Sequence, residues 1–215
     1  MMYNELKRIG INISPEKKEL FSRFADLFKD YNSKVNLMGR NDVNLIFEKH
    51  IYDSLAFNLF YTKYVSKNSI NIMDMGTGGG FPAIPLAIYY DNCQITAVDS
   101  INKKTKFVNY AAKELCINNI KAVCSRVEKL SDNYSFDIIV SRAMANLPII
   151  LEYAMPYLKQ EGFLIAYKSK KAAEEIGNSQ KKLKILNSKI IDKIEYSLPL
   201  KEENKRVLLI IKKEF

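Results

Sequence analysis

Histidine is almost missing from this chain and cysteine is sparse: there is one His and there are three Cys in 215 residues. Cys93, Cys116 and Cys124 are odd in number, widely spaced and form no C-x-x-C pair, so neither a disulfide framework nor a zinc site is expected, and no metal is assigned. No stretch approaches the roughly 18 apolar residues of a membrane span, so no membrane partner is expected. Met1-Met2-Tyr3-Asn4-Glu5 is not a basic segment leading into an apolar one, so no secretory signal is read there and the expected location is the cytoplasm. With 6 Pro and 8 Gly against 47% hydrophobic residues, the chain reads as globular, long enough for one well-buried domain with an appendage.

The few glycines are concentrated. Gly76, Gly78, Gly79 and Gly80 lie between the apolar run Ile70-Asn71-Ile72-Met73-Asp74-Met75 and a second apolar run from Phe81. The pattern is a buried strand, a tight turn and a helix N-terminus, with glycines where a turn needs positive φ and a ligand must approach backbone N–H groups. Asp99 ends the next apolar strand, 99 − 76 = 23 residues after Gly76. That is close to the interval of about 20 at which a nucleotide-binding βαβ unit places a carboxylate for both ribose hydroxyls. Phe81 stands where a dinucleotide loop has its third glycine, leaving Gly76-x-Gly78-x-Gly80 preceded by Asp74, the form used for S-adenosyl-L-methionine. Such a loop seats no pyrophosphate. Asp74 is an acid suited to a cationic sulfonium or amino group.

Ser14-Pro15-Glu16 starts a helix, with Ser as N-cap and Pro at the first helical position. Leu20, Phe21, Phe24, Leu27, Phe28, Tyr31 and Val35 then mark one apolar face. A loop over 36–41 is expected before a second helix from about Asp42 to Phe60, in which His50, Asp53 and Ser54 share a face and pair with one another or cap a neighbour. After the glycine turn, helices at 82–90, 102–116, 147–158 and near 170–185 alternate with strands at 94–99, 120–125, 136–140 and 162–168. Too few residues separate the runs 188–197 and 205–212 for a crossover helix, so the last strand runs antiparallel. The expected fold is α/β: a class I S-adenosylmethionine-dependent methyltransferase, Rossmann-like, with a doubly wound, mostly parallel seven-stranded sheet. Residues 1–66 form an N-terminal helical extension and 67–215 the S-adenosylmethionine-binding domain. At the C-terminal rim of that sheet, Ser125-Arg126-Val127-Glu128 borders the adenine and Ser141-Arg142-Ala143-Met144-Ala145 the methyl group.

Net charge is +9, unevenly spread: 11 − 8 = +3 over 1–68, 8 − 8 = 0 over 69–158 and 14 − 8 = +6 over 159–215. Excess charge on segments flanking a neutral core suits an anionic polymer gripped around a small-molecule site, with Lys170, Lys171, Lys181 and Lys182 among the gripping residues. Lys-rich helices that only aid solubility have the same pattern.

Asn36-Leu37, His50-Ile51-Tyr52-Asp53-Ser54, the block Asp74 to Leu86, Asp99-Ser100, Lys103-Lys104, Ser125-Arg126-Val127-Glu128, Ser141-Arg142-Ala143, Lys168 and Arg206 stand in an order and spacing that resembles the ribosomal RNA small-subunit methyltransferase G family, also called glucose-inhibited division protein B. The resemblance runs from about residue 33 to 212. It implies a bacterial enzyme that methylates guanine N7 in the decoding-centre loop of 16S rRNA; the expected partner is 16S rRNA or a small ribosomal subunit particle, and a monomer is expected. It further implies that Gly76, Phe81, Val127, Glu128 and Arg142 touch the cofactor. Ala83, Met38 and Ser169 depart from the family pattern, where Gly, Thr and Gly are usual, on the RNA side and not at cofactor contacts.

Guanine N7 has a free lone pair, so its methylation needs positioning and electrostatics but no general base. None is assigned; Arg142 and Lys168 are the positioning candidates, and Gly76, Gly78, Phe81, Asp99, Val127, Glu128 and Arg142 the cofactor contacts. Asn146-Leu147-Pro148-Ile149 lacks the second Pro and the aromatic of an adenine amino-methylation block. No Cys follows a Pro, as cytosine C5 attack would want. Ribose 2′-O methylation stays open through Lys168. A nicotinamide oxidoreductase would use Asp99 alike, with Tyr167 and Lys171 formally matching Y-x-x-x-K. A non-catalytic RNA-binding module is the remaining alternative.

Overall fold

The computed structural model describes residues 2–169, 171–200 and 204–214. The short helix α1 (Met2–Glu5) leads to α2 (Pro15–Val35), which starts as expected: Ser14 Oγ accepts from Lys17 N at 3.3 Å. Phe21, Phe24 and Phe28 on its apolar face are fully buried.

The expected continuous second helix is broken into α3 (Arg40–Val43), a π-helical segment (Ile46–Ile51), α4 (Tyr52–Leu55) and α5 (Phe57–Tyr64). Asp42 and Asn44 have side chains that compete for backbone hydrogen bonds, which favours interruption here. The wider π turn fits an extra residue into the winding, and such segments recur where side chains must be re-aimed.

The remaining elements alternate: β1 (Ile70–Met75), α6 (Ala83–Tyr89), β2 (Cys93–Asp99), α7 (Asn102–Glu114), β3 (Ile120–Cys124), β4 (Phe136–Arg142), α8 (Leu147–Ala154), β5 (Leu158–Lys168), α9 (Ala172–Ile185), β6 (Ser188–Leu198) and β7 (Asn204–Lys213). They build one seven-stranded sheet in the order β3-β2-β1-β4-β5-β7-β6. β7 runs antiparallel to both its neighbours and every other pairing is parallel. β6 therefore takes the edge and β7 lies inside it.

Two apolar clusters cover the two faces of the sheet. The larger joins α2 to the glycine turn: Phe81 packs tilted against Phe24 and edge-on against Phe28, with ring centroids 5.4 Å apart in each case. A Cβ on Gly79 would sit 2.6 Å from Phe28 Cε2, so only glycine lets the helix pack this closely. The boundary at 66/67 lies in the connection between α5 and β1, while residues on both sides of it share this one core.

Candidate active site

Strand order reverses between β1 and β4, and in an open α/β sheet the crevice beyond the strand ends at such a point receives the ligand. Two clefts open there, with Ala143 and Met144 in the walls of both.

The first, about 350 Å³, is lined by Gly76, Asp99, Ile101, Val127, Glu128 and Met144, among others. Gly76 and Gly78 have φ of +78° and +57°. Asp99 Oδ2 accepts from Gly78 N at 2.9 Å and Oδ1 from Ile101 N at 2.9 Å, so this carboxylate braces the turn and retains lone pairs for a ligand. Asp74 is fully buried beneath the turn. Its Oδ2 accepts from Ala83 N at 3.1 Å, whereas Oδ1 has no partner among the described residues. Burial pushes this carboxyl up to about 6. A brace for a ribose beside a buried, under-partnered carboxylate suits an adenosine ligand with a cationic end.

The second cleft, about 550 Å³, is built around Arg142 at the end of β4. Nη1 donates to Asp53 Oδ2 at 3.0 Å, and Nη2 donates to His50 Nδ1 at 3.1 Å. Arginine has no acceptor, so the neutral imidazole carries its proton on Nε2. Burial, followed by the Arg142 charge, drives His50 down to about 3, which keeps it neutral. Tyr196 Oη donates to Asp53 Oδ1 at 2.6 Å, occupying the other oxygen. The expected pairing of His50, Asp53 and Ser54 among themselves is thus replaced by a clamp on Arg142, apart from Ser54 Oγ donating to His50 O at 2.6 Å. The next residue, Ala143, has φ +53°, a strained conformation for a residue with a Cβ.

Lys168 is 8% exposed, donates to Ala145 O at 2.9 Å and pairs with Glu175 at 2.6 Å. Glu175 Oε2 also accepts from Leu147 N at 2.7 Å, capping α8. Lys49 pairs with Asp42. Arg206, half-buried on β7, has no carboxylate partner among the described residues.

The cofactor candidates Gly76, Asp99, Val127 and Glu128 therefore come together in the first cleft, and Arg142 and Lys168 in the second. Gly78 joins the first through its N–H bond to Asp99. Phe81 lines neither: its ring lies 5.3 Å from that of His50 and 5.5 Å from Arg142 Cζ, a platform beneath the guanidinium. Asp42, Lys49, Glu175 and Tyr196 were outside the sequence expectation, whereas Met144, expected at the rim beside the methyl group, lines both clefts. Of the basic C-terminal residues, Lys171 and Lys181 are exposed, Lys182 pairs with Glu152 at 2.7 Å, and Lys170 lies outside the described residues. Among the described residues there is no group of three or more His, Cys, Asp or Glu placed to hold a metal, and no helix long and apolar enough to cross a membrane.

Residues 17–209 match the family described as rRNA small subunit methyltransferase G. Ribosomal RNA small subunit methyltransferase G of Acetivibrio thermocellus is 36% identical over 208 residues, which covers 95% of this chain and 84% of that protein. Its counterpart in Staphylococcus saprophyticus is 35% identical over 212 residues, covering 97% and 87%. Among solved structures, coclaurine N-methyltransferase bound to N-methylheliamine and SAH is similar with a TM-score of 0.61 at 11% identity, covering 99% of this chain and 93% of that one. The ribosomal protein L11 methylase of Lactobacillus delbrueckii subsp. bulgaricus follows at 0.59 and 16%, covering 78% and 79%. At such identities these two carry the fold alone.

Proposed function

The chain belongs to the rRNA small subunit methyltransferase G family, and we propose that it methylates N7 of a guanine in the decoding-centre loop of 16S rRNA, using S-adenosyl-L-methionine. The observation that carries this reading is the pairing inside the second cleft. Arg142, Lys168 and Lys49 are each held by a carboxylate, and His50 is neutral with Nδ1 already accepting. Such a site holds a base without taking a proton from it, which is what an N7 lone pair requires.

When bound, the cofactor supplies an electrophilic methyl group on a cationic sulfur. Asp99 and the Gly76–Gly78 backbone would hold its adenosine, the loop 127–128 would border the adenine, and the buried Asp74 carboxylate would favour its cationic end. As N7 is methylated the guanine becomes cationic, and an unpaired guanidinium alongside would oppose that charge. Asp53, itself tied down by Tyr196, takes up the Arg142 charge so that the planar fork positions the base with a small net field.

Residues 1–66 act as the helical part that walls the substrate, contributing Asp42, Lys49, His50 and Asp53, and residues 67–215 as the cofactor-binding part. One chain supplies both clefts, in keeping with action as a monomer on rRNA or a small-subunit particle in the cytoplasm. Ribose 2′-O methylation is disfavoured because its candidate base, Lys168, is buried against Glu175 and Ala145 O. The nicotinamide reading is disfavoured because Tyr167 Oη donates to Ser54 O and α9 starts only at Ala172, so Tyr167 and Lys171 do not share a helix.

The test is nucleoside mass spectrometry of 16S rRNA after incubation of unmethylated small subunits with the purified protein and cofactor. 7-Methylguanosine is expected. A 2′-O-methylated product, or none, overturns the reading.

A further inference from the structure

The geometry points to Asp42 as the residue that selects guanine, by accepting hydrogen bonds from the N1–H and N2 amino group of the target base. This deepens the N7 reading and rests on it.

The second cleft contains three carboxylates, and they differ in spare capacity. Asp53 has both oxygens engaged, by Arg142 and Tyr196, and its side chain is 6% exposed. Glu175 bonds Lys168 and Leu147 N through Oε2 and is 20% exposed. Asp42 bonds only Lys49, through Oδ1, and is 40% exposed; its Oδ2 has no partner among the described residues. The hydrogen bond from Lys49 holds the Asp42 carboxyl below its ordinary range, so at neutral pH it is ionised and accepts only.

Position agrees with capacity. The two clefts meet at Ala143 and Met144, so N7 has to face that junction to meet the methyl group. The Watson–Crick edge then turns away from the junction, and Asp42 and Lys49 line only the second cleft, on the segment from α3 to the π-helical turn.

Guanine alone among the four RNA bases presents two adjacent N–H donors, at N1 and N2, that a carboxylate accepts together. Adenine places an acceptor at N1, so the same carboxylate repels it. Bases drawn out of a stack are read on this edge by hydrogen bonds, and donors left unpaired in a cleft carry a desolvation cost. Asp42 would thus hold guanine and reject adenine in one contact.

The experiment compares small subunits reconstituted with guanosine or with inosine at the target position. Inosine keeps N7, O6 and N1–H but lacks the N2 amino group. For the wild-type protein, kcat/KM should be roughly ten- to hundredfold higher on guanosine, the range of one hydrogen bond to a charged group. Asp42→Asn should lower guanosine efficiency and bring the guanosine-to-inosine ratio close to one. If Asp42→Asn melts below the assay temperature, the double variant Asp42→Ala, Lys49→Met removes both members of the pair and serves in its place. Equal wild-type rates on the two substrates, or an unchanged ratio in the variant that folds, overturn the assignment. If the wild-type product on guanosine is not 7-methylguanosine, the N7 reading itself fails, which the same nucleoside analysis shows separately.

Discussion

Arg142 and Asp53 stand 89 residues apart in sequence and 3.0 Å apart in space, an ion pair between the end of β4 and the short helix α4. Both are largely buried, so removing one partner strands the other charge. Arg142→Ala should cost about 3–5 kcal/mol of stability as well as turnover. Arg142→Lys is the sharper variant, because one ammonium cannot reproduce the use of Nη1 toward Asp53 and Nη2 toward His50. It should melt closer to wild type and methylate small subunits at least about tenfold more slowly in single turnover, one lost charged hydrogen bond. Wild-type rates from Arg142→Lys would reduce the pair to scaffolding.

Asp99→Ala removes the brace for Gly78 N and Ile101 N and the acceptor for the ribose. Cofactor affinity measured by calorimetry should weaken by about 2–3 kcal/mol. An unchanged dissociation constant would detach Asp99 from the cofactor.

Stability against pH should hide two opposed titrations. Asp74 is raised from 3.8 to about 6 by burial, so its contribution is full below about 4 and is lost as pH rises through 6. His50 is lowered from 6.5 to about 3, so its contribution is full above about 6.5 and is lost as pH falls toward 3. Between about pH 4 and 6 the two slopes oppose each other and the wild-type curve should be shallow. Urea melts at several pH values resolve them. Asp74→Asn should lose stability on acidification through that window, and His50→Gln should gain it. Parallel curves for all three proteins would contradict both burials.

Arg206 is the cation of the second cleft without a carboxylate partner among the described residues, so it is available to an RNA phosphate. RNA affinity should fall steeply with salt, and Arg206→Ala should reduce the slope of log K against log[salt] by about 0.7–0.9, the value of one phosphate contact. Replacing Lys171 and Lys181 together should flatten it further. An unaltered slope in both variants would leave the basic C-terminal part a soluble surface.

What the sequence made legible was local. The glycine turn, Asp99 at its interval, the Ser14 cap and the parallel alternation each depend on neighbours within one βαβ unit or one helix turn, and each stands where expected. The substrate wall was not legible, because its bonds join distant segments: Tyr196 to Asp53 spans 143 residues and Leu147 to Glu175 spans 28. No spacing rule encodes such pairs. His50 and Asp53 were visible as a shared face, yet their partner was set by the π-helical break, which local propensity suggests only after the fact. Phe81 was expected at the cofactor and lies under Arg142 instead of lining either cleft, since the phenylalanines of α2 draw it into the core.

Met144 forms part of both cleft walls, and its Cγ lies only 2.9 Å from where a Cβ on Gly76 would be. With Ala143, this side chain is what the two clefts share. For inhibitor chemistry, a compound confined to one chamber competes with one substrate only, and a linked molecule occupying both would have to displace this thioether.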